Sequence, residues 1–493
     1  MVDAANGRIY YRISNWYDII LFLPFSKKII PIWQEMLGVK NKSVTSHIDK
    51  KIGFITHLKV TFLFIYLIIS CPRLMKKLDG EFGEMIRFFN SLDLEKASGK
   101  EILEHYKALL DKVTEKWDIT LVNDMYSFIF TGLLKSRLKA KKLADADSAA
   151  NRYISGLNGI ESMKPVTELI KIAEFVKAGG SDEMSELKKI KTAADYRVYA
   201  AKKDAAAVMI GEYIENYGDR NAEELKLESR TFRTNPELLV QRIIAYAENG
   251  TSEAVRGTNE AVKPLKGLCG LFAEKAAVGI KNREKSRLDR SRLYGMMRSM
   301  MLRVGGELAA AGRISEPRDI FYLYYDEAER AVKNGENMQK TVAERRETYS
   351  RFEKLPAYSR LVFAGDVFDK SPKNVGGMEN RPGADVLEGI PCSGGKASGE
   401  VLIVDDPTAC PDTSGKIIVA EMTDPGWVFL LVGAAGIISE KGSLLSHTAI
   451  ISRELGKPAV VGAEGASRLL KNGDIVEIDG TSGKITVTGR KEK

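Results

Sequence analysis

At 493 residues the chain is too long for one core, and suggests roughly three packing units, or two if one is an extended helical array. Its 44% hydrophobic and 28% charged residues read as soluble and globular, while four scattered cysteines, Cys71, Cys269, Cys392 and Cys410, exclude the common zinc spacings and a disulfide framework, so the cytoplasm is the expected compartment. The net charge of +8 is uneven: residues 401–493 hold 10 Lys+Arg against 12 Asp+Glu, leaving the first 400 residues with an excess that suits an anionic ligand or, equally, a solvated surface, and no nucleic-acid motif accompanies it.

The opening MVDAANGRIYYR is polar and lacks the apolar core of a signal peptide. Tyr10, Tyr11, Trp16, Tyr17, Phe22, Phe25 and Trp33 follow, an aromatic density that reads as core and also suits a mostly apolar pocket. The longest apolar run is VTFLFIYLIISC, residues 60–71. A membrane span needs about 20 such residues, so the run is expected to be a buried core helix, with an interfacial segment as the alternative and no membrane insertion. His47, His57 and His105 read as surface or packing residues. Asn123, Asp124 and Tyr126 are interleaved with apolar residues, either lining a cleft or, more commonly for such a pattern, packing helices.

Residues 1–369 read mostly as helices joined by short turns. Residues 160–177 are apolar at helical spacing, and Gly179-Gly180 marks a stop before a new start. Farther on, Leu293, Met297, Met300, Val304 and Leu308 recur on one face of a long helix. Arg283, Arg287 and Arg290 share a face of the same helix and suit a phosphoryl group or an acidic acceptor; a solvated or salt-bridged face is the commoner meaning of such a run.

Between Lys370 and Gly399, Gly, Pro, Ser and Asn replace the periodic pattern, which reads as a linker and entry into a unit of another kind. Gly389 and Gly394 have phosphate-loop separation, but Gly395 stands at the lysine position and Lys396 comes one place late, so this is a turn. Short β-like runs then follow: EVLIVDD, KIIVAEM, AGIISE, PAVVGA, DIVEIDG and KITVTG. Between the third and fourth lies a helix opened by Ser446 and closed by Gly456, with His447 at its first turn. Imidazole is nucleophilic when neutral, and a helix N-terminus favours both that neutral form and a bound phosphoryl anion. A turn histidine hydrogen-bonded to its surroundings is the plain alternative.

The frame around His447 decides between these readings. Gly442, Ser446, His447, Ala449, Arg453, Glu454, Gly456, Pro458, Ala459, Val460, Val461 and Gly462 match the pattern of the mobile phosphohistidine domain of phosphoenolpyruvate-utilising enzymes, with departures at Ser443 and Ser452. Residues 388–490 thus resemble that swivelling α/β domain, and TDPGW at 423–427 agrees with it. The helical part, at 6–25, 121–134, 282–298 and 312–327, resembles the region that follows the nucleotide-binding domain in phosphoenolpyruvate synthase-like proteins.

The resemblance implies a multidomain fold, a large helical acceptor-binding domain followed by the mobile one. It implies His447 as the phosphoryl carrier, with Gly442, Ser443, Ser446, Thr448 and Arg453 supporting the phosphoryl site, and Arg283, Arg287, Arg290, Asn123 and Asp124 as candidate acceptor contacts. No metal ligands are expected here. No ATP-grasp domain is recognised, so ATP and Mg2+ are expected on a separate ATP-grasp chain, which would phosphorylate His447 for transfer to a small-molecule hydroxyl. The alternative is a non-catalytic scaffold or regulatory subunit whose His447 is phosphorylated as a signal.

Overall fold

A computed structural model describes residues 2–5, 8–23, 26–36, 53–114, 117–141, 149–150, 153–154, 164–220, 225–249, 265–355, 385–405, 407, 412–423, 427–442 and 446–490. A two-stranded antiparallel ladder, β1 (Val2–Ala5) with β2 (Arg8–Tyr11), precedes a long helical succession. Its members are α1 (Ile13–Phe22), α2 (Ser26–Met36), α3 (Phe54–Asn90), α4 (Gly99–Thr114), α5 (Ile119–Ala140), α6 (Lys164–Ala178) and α7 (Gly180–Lys189). There follow α8 (Ala193–Ala200), α9 (Ala205–Tyr217), α10 (Pro236–Asn249), α11 (Gly267–Ala310), α12 (Tyr325–Asn334) and α13 (Gln339–Glu353). The break at Gly179-Gly180 separates α6 from α7 as the sequence suggests, Gly180 taking φ 82°.

The 44-residue α11 is the spine of this part. Leu293, Met297, Met300, Val304 and Leu308 are all buried, packed with Phe82 and Met85 of α3 and Ile102 and Leu103 of α4. Near its other end α11 crosses α5 closely, because Gly279 has no side chain: a Cβ there would lie 2.4 Å from Ser127 Oγ.

One expectation is overturned. The apolar run 60–71 is helical but is not core: the buried residues of α3 are Cys71, Met75, Leu78, Phe82 and Met85, whereas Phe62, Leu63, Ile65, Tyr66 and Ile69 face outward. Composition identified a helix that burial would reward; among the described residues, the elements beside it cover only one of its faces.

From residue 385 the chain becomes an eight-stranded sheet in the order β3-β10-β9-β5-β6-β7-β8-β4. The strands are β3 (Val386–Glu388), β4 (Ile390–Ser393), β5 (Lys396–Ile403), β6 (Ile417–Ala420), β7 (Gly436–Ser439), β8 (Ala459–Val461), β9 (Ile475–Asp479) and β10 (Lys484–Gly489). Short helices α14 (Val428–Leu431), α15 (His447–Glu454) and α16 (Ala466–Leu469) connect them. Strands β5 to β8 run parallel, and β5 pairs antiparallel with β9 through its first half. Of the stretch 370–399, residues 385–399 lie in β3, β4, β5 and their turns, and 370–384 fall outside the described residues. All six strand-like runs of the sequence form strands; β3 and β4 hid in the Gly- and Pro-rich composition.

The sheet unit is packed on the helices rather than held apart. One apolar cluster runs from Leu169, Tyr213 and Leu239 into Phe429, Ile451 and Val461. The rings of Phe232 and Phe429 lie 5.5 Å apart, and Tyr246 donates its hydroxyl to Phe429 O at 2.6 Å.

Candidate active site

His447 is the first residue of α15, just beyond β7. Ser446 caps the helix, its Oγ accepting from Ala449 N–H at 3.4 Å, and Gly456 ends it at φ 64°. Gly442 adopts φ 145°, and a Cβ on it would sit 3.1 Å from Ser446 Oγ and 3.2 Å from Val461. The turn that presents the histidine therefore requires glycine for its conformation and its closeness.

The imidazole is 4% exposed, and among the described residues neither Nδ1 nor Nε2 has a hydrogen-bond partner. Burial holds its pKa well below the usual 6.5, with the charges of Arg287 and then Arg220 acting the same way. The ring is thus neutral, with a lone pair available and two cations nearby that would repel imidazolium but attract a phosphoryl group on the same nitrogen.

The arginines reach it from the helical part. Arg287, on α11, bonds Glu284 Oε1 at 3.1 Å; that carboxylate is completely buried. Arg220 follows α9 and is 1% exposed, with Nη1 at 3.3 Å from Ser291 Oγ. The loop carrying it lies against α11 at Gly295, where a Cβ would come within 2.1 Å of Asp219. Asp219 is paired with Arg233 at 3.2 Å. One turn into α15, Ile450 enters the apolar cluster of Leu134, Cys269, Ala276 and Ile280, seating the helix on α5 and α11.

The other candidates separate into groups. Thr448 is buried and shares a 2.6 Å hydrogen bond with Thr423, tying the turn to the stretch beyond β6. Arg453, at the far end of α15, donates to Cys392 O at 2.7 Å, which fastens the helix to β4. Ser443 lies outside the described residues, as do residues 424–426 of TDPGW and His47. Arg283 pairs with Asp124 at 3.4 Å and stacks over Phe128, with Nη1 buried and without a hydrogen-bond partner among the described residues. Burial lowers its pKa, followed by the charge of Arg287. Arg290 lies on the same helix, near enough that its charge also bears on Arg283. Asn123 is 1% exposed and committed to packing: its Nδ2 donates to Gly279 O at 2.9 Å. His105 stacks on Phe88 with centroids 4.1 Å apart, and His57 is exposed.

Sequence reasoning missed Arg220. It sits in the break YGDRN with no periodicity to mark it, and only folding the α9 turn onto α11, where it meets Ser291, brings its charge to bear on His447.

A buried neutral histidine thus stands at the N-terminus of a capped helix, on a parallel βα turn and faced by arginines. The chain resembles the phosphoenolpyruvate-utilising enzymes in two separate segments: residues 412–483 match the PEP-utilising enzyme mobile domain, and residues 121–292 match the rifampicin phosphotransferase fourth domain. Rifampicin phosphotransferase of Bacillus subtilis strain 168 is 28% identical over 299 residues, covering 56% of this chain and 34% of that protein. An uncharacterized phosphotransferase of the same strain, YvkC, is 30% identical over 307 residues, covering 57% and 36%. The uncharacterized protein Rv2047c of Mycobacterium tuberculosis strain H37Rv is 32% identical over 270 residues, covering 55% and 30%. The chain thus spans about a third of the length of these curated relatives. A chain of Thermococcus kodakaraensis aconitase X aligns over 21% of this chain at 23% identity with a TM-score of 0.18, too slight a likeness to bear on the fold.

Proposed function

We propose that the chain is a cytoplasmic phosphotransferase subunit, with an acceptor-binding helical domain and a swivelling phosphohistidine domain. It would relay a phosphoryl group from ATP through His447 to a small-molecule hydroxyl, with release of AMP and phosphate. The observation that carries this reading is the neutral, unpartnered imidazole of His447 facing Arg287 and Arg220 across the junction of the two parts. ATP and its magnesium belong to a separate ATP-grasp chain in this reading.

The relay divides one displacement into two. In the first, a ring nitrogen of His447 attacks the β-phosphorus of ATP, an N–P bond forms and the P–O bond to the α-phosphate breaks with AMP leaving. Water then cleaves the γ-phosphoryl group from the histidine-bound pyrophosphate, releasing phosphate, and the proton of the other ring nitrogen passes to solvent. In the second, the acceptor oxygen attacks the same phosphorus, the N–P bond breaks, and the hydroxyl proton ends on the nitrogen that the phosphoryl group leaves. Arg287 and Arg220 neutralise the equatorial oxygens during this second step. Docking of Ile450 onto α5 and α11 shuts out water, the competing nucleophile. The aromatic composition of the N-terminal segment is what suggests an acceptor with an apolar body; within it Tyr17 and Ile20 are themselves packed as core with Trp16, the Tyr17 hydroxyl accepting from Gln34 at 2.7 Å.

The test is to incubate the chain with its ATP-grasp partner and labelled ATP and to look for acid-labile, base-stable label. The native chain takes up label and passes it to the acceptor in step with AMP formation. Equal labelling of His447→Ala would sink the relay, and a stable phosphoprotein without turnover would favour signalling.

A further inference from the structure

The first half of α3 is a helix long and apolar enough, by length and composition, to cross a membrane, yet only 6% of that window is buried. Phe54, Ile55, Phe62, Ile65, Tyr66 and Ile69 are between 44% and 80% exposed. At helical spacing they occupy one arc of about 120°, an unbroken apolar stripe roughly 24 Å long. The opposite face is occupied: Phe64 packs with Tyr17 and Ile20 of α1, and Ile68 with Cys71 and Tyr126. Lipid therefore cannot surround this helix, but it can meet one side of it. Beyond Pro72 the same arc continues as exposed Arg73 and Lys76, with Lys77 beside them. Helix α1, seated against Phe64, adds exposed Ile19 and Leu21.

We propose that this face is a docking surface for an anionic lipid bilayer, with α3 lying in the plane of the interface. A stripe of aromatic and branched apolar side chains suits the boundary between headgroups and acyl chains, and cations continuing the stripe suit anionic headgroups. The order of residues selects lipid over a protein groove: the apolar arc runs without a polar interruption for four turns and is then continued by the cations Arg73 and Lys76. Exposed apolar surface of this extent is uncommon on a free monomer. The inference is independent of the phosphoryl relay.

The experiment is co-sedimentation of the full chain with vesicles of equal parts phosphatidylglycerol and phosphatidylcholine, against phosphatidylcholine alone, with size-exclusion light scattering of the chain without lipid. The native chain partitions onto the anionic vesicles and is released by salt. A Phe62→Asp, Ile65→Asp, Ile69→Asp variant, altered only at exposed positions and checked by circular dichroism, partitions at least about tenfold less. Arg73→Glu with Lys76→Glu loses the preference for anionic lipid. Absence of binding by the native chain overturns the proposal, as does undiminished binding by the apolar variant. A native dimer that fails to bind vesicles and that the apolar variant converts to monomer assigns the face to a second copy and overturns it equally.

Discussion

The proposed relay asks of His447 two properties that oppose each other in water, basicity for attack and an uncharged resting state, and burial supplies the second. Its lowered pKa has a consequence for stability. Above the unfolded value of about 6.5 the ring is neutral in both states, so the fold keeps its full stability; as pH falls below that value the unfolded chain binds a proton that the folded chain refuses. Stability should therefore decline by up to about 1.4 kcal/mol per pH unit from pH 6.5 down toward the folded pKa. Urea unfolding at pH 7.5 and 5.5 checks this: His447→Gln should lose less than the native chain over that interval, and equal losses would remove the argument. Removing the charge of Arg220 should raise the imidazole pKa toward 6.5 in an NMR titration, and slow transfer to the acceptor by about a hundredfold, the scale of one preorganised charge at a transition state. Arg287 calls for Lys rather than Ala, because Arg287→Ala would leave Glu284 buried without its cation. An unchanged titration in Arg220→Ala would place that residue outside the site.

At the scale of elements, the site depends on how closely the α9 turn lies on α11. Gly295→Ala would set a methyl 2.1 Å from the Asp219 carboxylate and push the loop bearing Arg220 away. We expect a loss of about 1–3 kcal/mol in stability, together with a fall in transfer rate. Gly306→Ala on the same helix meets nothing within 4 Å and should stabilise by about 0.5–1 kcal/mol through helix propensity alone. Thermal melts and transfer rates of the two variants separate crowding from propensity; like behaviour would mean that the turn yields freely. Where the sequence could be read, it was read from periodicity and frame: the buried face from Leu293 to Leu308, the split at Gly179-Gly180, six strands and the capped turn of His447. What escaped it has a common cause. Strands β3 and β4 gain their structure from pairing with β10 and β8, not from local propensity. Arg220 acquires its place from a loop contact. The apolar half of α3 looks the same in sequence whether its exposed face meets protein or not, and Asn123 looks the same in a cleft as in a helix crossing.

At the scale of the whole molecule, the position that would suit His447 as the donor in the proposed relay is one in which it cannot receive the phosphoryl group. A ring 4% exposed, with Ile450 wedged among Leu134 and Ile280, leaves no approach for a nucleotide carried on a second protein. Phosphorylation in the proposed relay therefore requires the sheet unit to leave the helices, breaking the Tyr246 to Phe429 hydrogen bond and uncovering Phe429 and Ile450. Tyr246→Phe removes that bond while keeping the ring; it should favour undocking by about 1 kcal/mol and raise the rate at which His447 is labelled. The converse is a lock. Cysteines introduced at Phe232 and Phe429, whose rings lie 5.5 Å apart, would tie the two parts together when oxidised or bridged, and the native Cys71, Cys269 and Cys392 are buried. A chain labelled first and locked afterwards should deliver one phosphoryl group per protein and then stop, whereas the reduced chain continues to turn over. Repeated turnover by the locked chain would show that His447 meets donor and acceptor from one pose, and the swivelling motion would have no part in the relay.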